Sequence, residues 1–312
     1  MTLIEFVAFA RNKGNFITLD DYINFTSEFL EFLNNPQNIQ AVIVSQNASH
    51  YQFIQYKENG TFNITRPINT NLFFTHTEFN VIKHDFIALL GNVRATQYDT
   101  PYYREILNRT VYTIQQCIGS VLDALPATAS NTARKINGDL FERFVCLILT
   151  TVGVDCASGT VTIPIEMEDI EPFDMSYQHD LIVKQGEFVK AIGSVKTSSK
   201  DRIDKIFIDK FLYSRLSVTS IPHFAVFLND VQRKNVSKGT KYGINQTFLT
   251  GKFKAYTVKL NALDGVYYCD IRPIMTTDQL LRDNIRTFDH LIFTDIWNFL
   301  DNTTLSNSPI IK

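Results

Sequence analysis

Asp180 and Lys196 are the residue pair best placed to do chemistry. Asp180 opens a short apolar segment, DLIVK, and Lys196 ends a second one, EFVKAIGSVK, with Gln185-Gly186 between them as a tight turn. A hairpin with that turn brings the two side chains together, because paired strands lie about 4.8 Å apart. A carboxylate beside a lysine suits metal-assisted phosphodiester cleavage. The carboxylate holds Mg²⁺, a hard ion that prefers oxygen ligands and keeps several waters. The metal polarises the phosphate and lowers the pKa of a water. The lysine orients or helps deprotonate that water, or offsets charge developing on the phosphate. Taken in isolation, the pair reads first as a salt bridge on a hairpin surface. Two neighbours favour the chemical reading. Glu142 sits inside an otherwise apolar helical segment, where a lone carboxylate needs a partner. Directly after Lys196, the run Thr197, Ser198, Ser199, Lys200, Asp201, Arg202 puts hydroxyls and cations at an expected helix N-terminus, where phosphate oxygens are welcome.

The elements that must position these residues are legible in part. Ile136 to Val152 reads as a strongly apolar helix with Asn137 as its cap, Val161 to Ile165 as a strand, and Glu166 to Asp174 as an acidic loop. Asp180 to Lys184 and Glu187 to Thr197 form the hairpin. Ser198 to Arg215 reads as an amphipathic helix opened by a capping box, Ser198-x-x-Asp201. Pro222 to Asn229 is a buried strand. Phe253 to Leu260 and Val266 to Ile271 read as further strands, followed by two C-terminal helices. The resulting order α-β-β-β-α-β predicts an α/β (α+β mixed) core, a central mixed sheet flanked by helices. Upstream, Leu19 to Leu33 and Tyr103 to Leu125 are helical. Ala41 to Val44, His50 to Tyr56 and Thr61 to Ile64 are short strands. Pro126 to Thr132 (PATASNT) is the best linker. The chain therefore divides into an α-rich N-terminal region, 1–125, that serves recognition or dimerisation, and a catalytic domain, 133–312.

With 312 residues the chain is long enough for a sizeable core, and 45% hydrophobic against 20% charged residues marks it as globular. The net charge of −2 excludes a generally basic nucleic-acid coat protein. That total hides an asymmetry. Lys190 to Lys254 holds 13 Lys or Arg against four Asp, whereas Asp155 to Glu187 holds eight acids and one Lys. An acidic block beside a basic one is the layout of a metal site next to a phosphate-binding cleft. No stretch of about 18 apolar residues predicts a membrane span, and the first residues lack a signal-peptide layout. The four widely spaced cysteines form no metal motif and read as reduced thiols of a cytoplasmic protein.

Taken together, Glu142, Asp180 and Lys196 resemble the PD-(D/E)XK nuclease superfamily, in particular type II restriction endonucleases. That pattern combines a helix Glu, an Asp at a strand start and an (Asp/Glu)-x-Lys on the hairpin partner. The string KTSSKDRIDKIFIDKF resembles the strand-to-helix segment of several restriction enzymes, and FLNDVQRK with TFLTGKFKAY is similar too. The likeness covers roughly 136–273 and implies a restriction-endonuclease-like core. One position departs from the pattern. Ser194 stands two before Lys196, where an acid is usual. The Ser-x-Lys form takes its missing carboxylate from the following helix, which implies Asp209 or Asp204, with Asp209 preferred. Asp174 is a rival for the strand Asp, and His179 is a candidate DNA contact.

The resemblance implies catalysis by Asp180, Lys196, Glu142, Ser194 and Asp209, with Mg²⁺ held by Asp180, Glu142 and Asp209. It further implies site-specific cutting of double-stranded DNA to 5′-phosphate ends, a homodimer, and a cognate DNA methyltransferase as counterpart. Thr197, Ser198, Ser199, Lys200, Arg202, Lys205, Arg233, Lys234, Lys238 and Lys241 are the expected DNA contacts. Asn229, Gln232, Arg233, Asn245 and Gln246 are able to read base edges, on a 229–247 stretch expected to be a mobile loop. Competing readings are a repair or junction-resolving nuclease of the same superfamily and a non-catalytic DNA-binding protein on the same fold.

Overall fold

The computed structural model describes residues 1–57, 64–167, 170–216, 221–234 and 242–301. The chain opens with α1 (Leu3–Arg11) and α2 (Leu19–Asn34), followed by β1 (Ile39–Val44), β2 (Tyr51–Tyr56) and β3 (Ile68–Asn69). Next come α3 (His76–Leu90) and two 22-residue helices, α4 (Pro101–Leu122) and α5 (Ser130–Thr151). Capping boxes built on Thr2/Glu5, Thr18/Asp21 and Thr75/Glu78 start α1, α2 and α3 by satisfying otherwise orphaned N–H groups.

The central sheet has six strands in the order β11-β10-β7-β6-β5-β4. Its strands are β4 (Asp155–Met167), β5 (Ile170–Gln185), β6 (Phe188–Ser198), β7 (His223–Asn229), β10 (Gly265–Tyr268) and β11 (Ile285–Thr287). β4, β5 and β6 pair antiparallel, and β6, β7, β10 and β11 pair parallel. Helix α6 (Ile203–Leu216) links β6 to β7. A short ribbon, β8 (Val231–Arg233) with β9 (Ile244–Gln246), leads through α7 (Thr250–Tyr256) to β10. Then α8 (Gln279–Asn284) precedes β11, and α9 (Phe288–His290) runs through a π turn into α10 (Ile296–Asp301).

Strand alternation divides the core. Leu181, Val183, Ala191, Val195, Phe224 and Val226 pack into one large cluster with α1 to α5. Ala225, Phe227, Val266 and Tyr268 face the other way, onto Ile206 and Phe207 of α6. The sheet is thus sandwiched, with α5 against one face and α6 against the other. The expected order α-β-β-β-α-β is present as α5, β4, β5, β6, α6, β7.

Several local expectations are overturned, each for a physical reason. Asn137 does not cap α5. It is 2% exposed in mid-helix, where its carbonyl and its side-chain oxygen accept from Gln115 Nε2 at 3.0 and 2.9 Å. Ser130 to Thr132, read as linker, are the first residues of α5. Of the acidic segment expected as a loop, 166–167 and 170–174 are strand, because β4 and β5 continue as a long hairpin with Pro164 paired to Asp174, and 168–169 lie outside the described residues. The capping box at Ser198 does not form. Asp201 has φ 53°, a left-handed conformation outside any helix, and α6 starts at Ile203. Phe253 to Leu260 is helical, because Phe253 and Tyr256, one turn apart, both pack on the Phe207 ring at 5.6 and 5.7 Å. The 229–247 stretch is a paired ribbon on both sides of residues 235–241, which lie outside the described residues, as do 61–63 of the strand expected there.

A buried polar cluster joins the N-terminal region to the sheet. Asp270, 2% exposed, accepts from Tyr51 Oη at 2.5 Å and from Asn69 Nδ2 at 2.9 Å. Burial pushes its carboxyl up to about 6, against the pull of those donors and of Arg272. A raised native value means that the folded protein binds more protons than the unfolded chain between about pH 4 and 6. Stability therefore falls as pH rises through that window. Relative to Asp270→Asn, wild type is expected to lose roughly 3 kcal/mol between pH 4 and 7, from about 1.4 kcal/mol per pKa unit. Paired denaturant melts at the two pH values check this, and parallel curves would refute it.

Candidate active site

Asp180, Lys196 and Glu142 come together although they belong to three elements. Lys196 Nζ donates to Asp180 Oδ2 at 2.5 Å and to Glu142 Oε1 at 2.8 Å. The hairpin β5–β6 supplies the first two, with Leu181 opposite Gly193. Helix α5, packed on one face of the sheet, brings Glu142 to Lys196. Asp180 also accepts the Val195 N–H at 2.8 Å, which fixes its carboxylate against β6. A bulge sets that aim: Ala157 and Gly159 of β4 lie opposite Ile182 and His179 of β5, so three steps on β5 face two on β4. Bulges of this kind re-aim side chains. Gly193 permits the close strand approach, since a Cβ there would meet the Phe224 ring at 2.4 Å. Gly193→Ala is expected to destabilise the protein by about 1–3 kcal/mol through overpacking, read as a lower melting temperature.

The electrostatics are those of an anion cluster. Burial raises the Glu142 carboxyl, and the Asp180 charge raises it further, so the Lys196 ammonium does not bring it down. Burial also works against the Lys196 ammonium, yet Asp180 and Glu142 outweigh it and hold Lys196 above its ordinary value. The lysine is therefore a firmly charged cation between two carboxylates. Their side chains are 19–29% exposed, within reach of a substrate.

Asp209 lies on α6 and lines one cavity of about 140 Å³ together with Asp180, Ser194, Lys196, Arg202 and Lys205. Burial raises its carboxyl. Lys205 opposes that rise and the Asp180 charge adds to it. Asp204 instead pairs with Lys252 on α7 and does not line the cavity. Of the two acids left open by the sequence, Asp209 faces the cavity that Asp180 and Lys196 line and Asp204 does not. Asp209→Ala is expected to lower nuclease activity at least 100-fold, whereas Asp204→Ala leaves it within threefold, measured as plasmid cleavage rates. Asp174 is exposed on β5, six residues or about 20 Å along the strand from Asp180, so it does not join the site.

Of the expected DNA contacts, Arg202 and Lys205 line the cavity, and Lys200 and Lys234 are exposed. Arg233 is half-buried on β8. Thr197 and Ser198 end β6 rather than cap a helix. Ser199 is 3% exposed and so cannot touch a phosphate without rearrangement. Lys238 and Lys241 lie outside the described residues. His179 also lines the cavity, from a largely buried position. It is buried among Tyr177, Tyr213 and His223, and burial lowers it to about 4, leaving it neutral at pH 7. His223 and Gln178 also line the cavity. Sequence reading did not single them out, since an isolated His or Gln beside a strand carries no motif.

The donor set fits Mg²⁺ in kind: hard carboxylate oxygens from Asp180, Glu142 and Asp209, the last two raised first by burial and then by the Asp180 charge, which a divalent cation would offset. Among the described residues no three His, Cys, Asp or Glu side chains by themselves form a metal-holding group. Two of the carboxylates share Lys196 instead.

No protein-family model matches the chain, and no curated protein matches it. Among solved structures, the chain is similar to the type IIP restriction endonuclease Kpn2I, with a TM-score of 0.69 and 18% identity over 95% of this chain and 97% of that one. It also matches the restriction endonuclease PspGI in complex with substrate DNA, with a TM-score of 0.44 and 15% identity over 71% of this chain and 92% of that one. Across nearly its whole length, then, the polypeptide has a type II restriction endonuclease fold, a mixed α/β sheet flanked by helices.

Proposed function

We propose that the protein is a Mg²⁺-dependent type II restriction endonuclease that cuts both strands of a specific duplex site, leaving 5′-phosphate and 3′-hydroxyl ends. The observation that carries this reading is the Lys196 ammonium between Asp180 and Glu142, beside Asp209, in a cavity edged by Arg202 and Lys205. When bound, Mg²⁺ would supply charge neutralisation at the scissile phosphate and acidify a water. Asp180, Glu142 and Asp209 are the residues that would hold it. Lys196 holds the attacking water by hydrogen bond and offsets negative charge as it builds on the phosphate. Asp180 keeps Lys196 charged and pointed at that place, and the Val195 N–H keeps Asp180 pointed in turn. Ser194 lines the cavity but brings no charge, and Asp209 supplies from α6 the acid that β6 lacks. Arg202 and Lys205 draw in the phosphodiester.

Cutting both strands at a symmetric site requires two such centres related by a two-fold axis, hence a homodimer. Host DNA would need protection by a cognate methyltransferase. Incubation with Mg²⁺ and a panel of plasmids is expected to give discrete bands. Cutting confined to branched or damaged DNA would point to a repair nuclease instead. DNA retardation on gels with no cutting of any plasmid would leave only a binding protein.

A further inference from the structure

The ribbon β8–β9 is built to present polar side chains away from the protein. Its cross-strand pairs are Val231 with Gln246, Gln232 with Asn245, and Arg233 with Ile244. Paired side chains share a face and successive pairs alternate. Val231 and Ile244 are 5% and 3% exposed and pack with Tyr51, Phe53 and Ile64, which defines the inner face. The Gln232–Asn245 pair therefore lies on the outer face. Exposed Lys234, whose N–H donates to the Gly243 carbonyl at 2.8 Å, continues that face. Exposed Lys200 reaches it from the other side, and its Nζ donates to Gln232 Oε1 at 3.3 Å. The outer face thus carries two carboxamides between two ammonium groups.

Its position and rigidity suit a reader of DNA sequence. β8 follows β7 almost directly, and Asn229 at the end of β7 pairs with Ser198, two residues past Lys196. The ribbon is clamped from the N-terminal region. Asn47 Nδ2 donates to the Ile244 carbonyl, and Asn47 Oδ1 accepts the Ile244 N–H, both at 2.9 Å. The Gln46 N–H donates to the Tyr242 carbonyl at 3.0 Å. A two-stranded ribbon fits the major groove, and a carboxamide offers the donor and acceptor that match an adenine edge.

We propose that this outer face reads the target sequence of duplex DNA, with Gln232 and Asn245 on base edges in the major groove and Lys200 and Lys234 on the flanking phosphates. The proposal rests on the endonuclease reading, and its test does not use cleavage. Wild type, Gln232→Ala, Asn245→Ala and the double variant are each used to select from a pool of randomised 20-base-pair duplexes with Ca²⁺ in place of Mg²⁺. Affinity for one random-sequence duplex is measured in parallel. Wild type is expected to recover one short sequence. The single variants should keep random-duplex affinity within about threefold and lose roughly 5- to 150-fold discrimination at one base pair. Lys234→Ala should recover the wild-type sequence while weakening all duplexes and lowering the salt slope by about one. A double variant that selects the same sequence as sharply as wild type overturns the ribbon assignment alone. Wild type that selects no sequence overturns the endonuclease reading and the ribbon assignment with it.

Discussion

Lys196→Ala is expected to reduce DNA cleavage by about 10³-fold or more, since the variant loses both the donor that holds the water and the charge that offsets the phosphate. Duplex binding in Ca²⁺ should stay within a few-fold of wild type, because Arg202, Lys205 and Lys200 remain. Lys196→Arg should not restore the rate. A planar guanidinium clamps both carboxylates in a fixed geometry and cannot place a compact ammonium donor on the attacking water. Lys196→Ala also leaves Asp180 and Glu142 facing each other without their shared cation. All three groups are partly exposed, so the stability loss at pH 7 is about 1 kcal/mol and shrinks with added salt. Single-turnover cleavage rates alongside thermal melts separate the catalytic effect from the structural one.

Asp180→Asn is the second large effect. The amide retains an acceptor for the Val195 N–H, so the fold should tolerate it. It removes the charge that keeps Lys196 protonated and that would hold the metal, and cleavage should fall at least as far as in Lys196→Ala. Asp180→Ala adds a structural cost. The Val195 N–H loses its acceptor at the sheet, worth roughly 1–3 kcal/mol of stability. The two substitutions are therefore expected to be equally inactive and unequally stable. If Asp180→Asn retained wild-type cleavage in Mg²⁺, Asp180 would be a structural strand acid and the site would lie elsewhere.

Much of this site could be read from residues because it is local. The turn at Gln185-Gly186 sets the pairing of β5 with β6, and the pairing places Asp180 beside Lys196. Glu142 was detectable only as an anomaly, a carboxylate on an apolar helix; its contact with Lys196 spans 54 residues, a distance no periodicity reports. The choice between Asp209 and Asp204 needed three dimensions. Both lie on α6, and what separates them is Lys252 on a helix whose strand-like sequence concealed it. The TSSKDR run misled in the same way. It has the composition of a helix start, yet β6 extends through Ser198 and Asp201 turns left-handed before α6 begins. The near-neutral total charge conceals a cavity where acids from β5 and α6 meet cations from the β6–α6 segment, with Glu142 of α5 bonded to Lys196, an arrangement made by packing rather than by sequence proximity.

This cavity is expected to cut duplex DNA at one sequence. Digestion of a sequenced plasmid in Mg²⁺, with every fragment end mapped, tests it most directly. The predicted result is breaks in both strands at one short recurring sequence, with 5′-phosphates and 3′-hydroxyls, absent in Asp180→Asn and Lys196→Ala. Uncut plasmid, breaks scattered without a common sequence, or the same breaks in either variant would contradict the account.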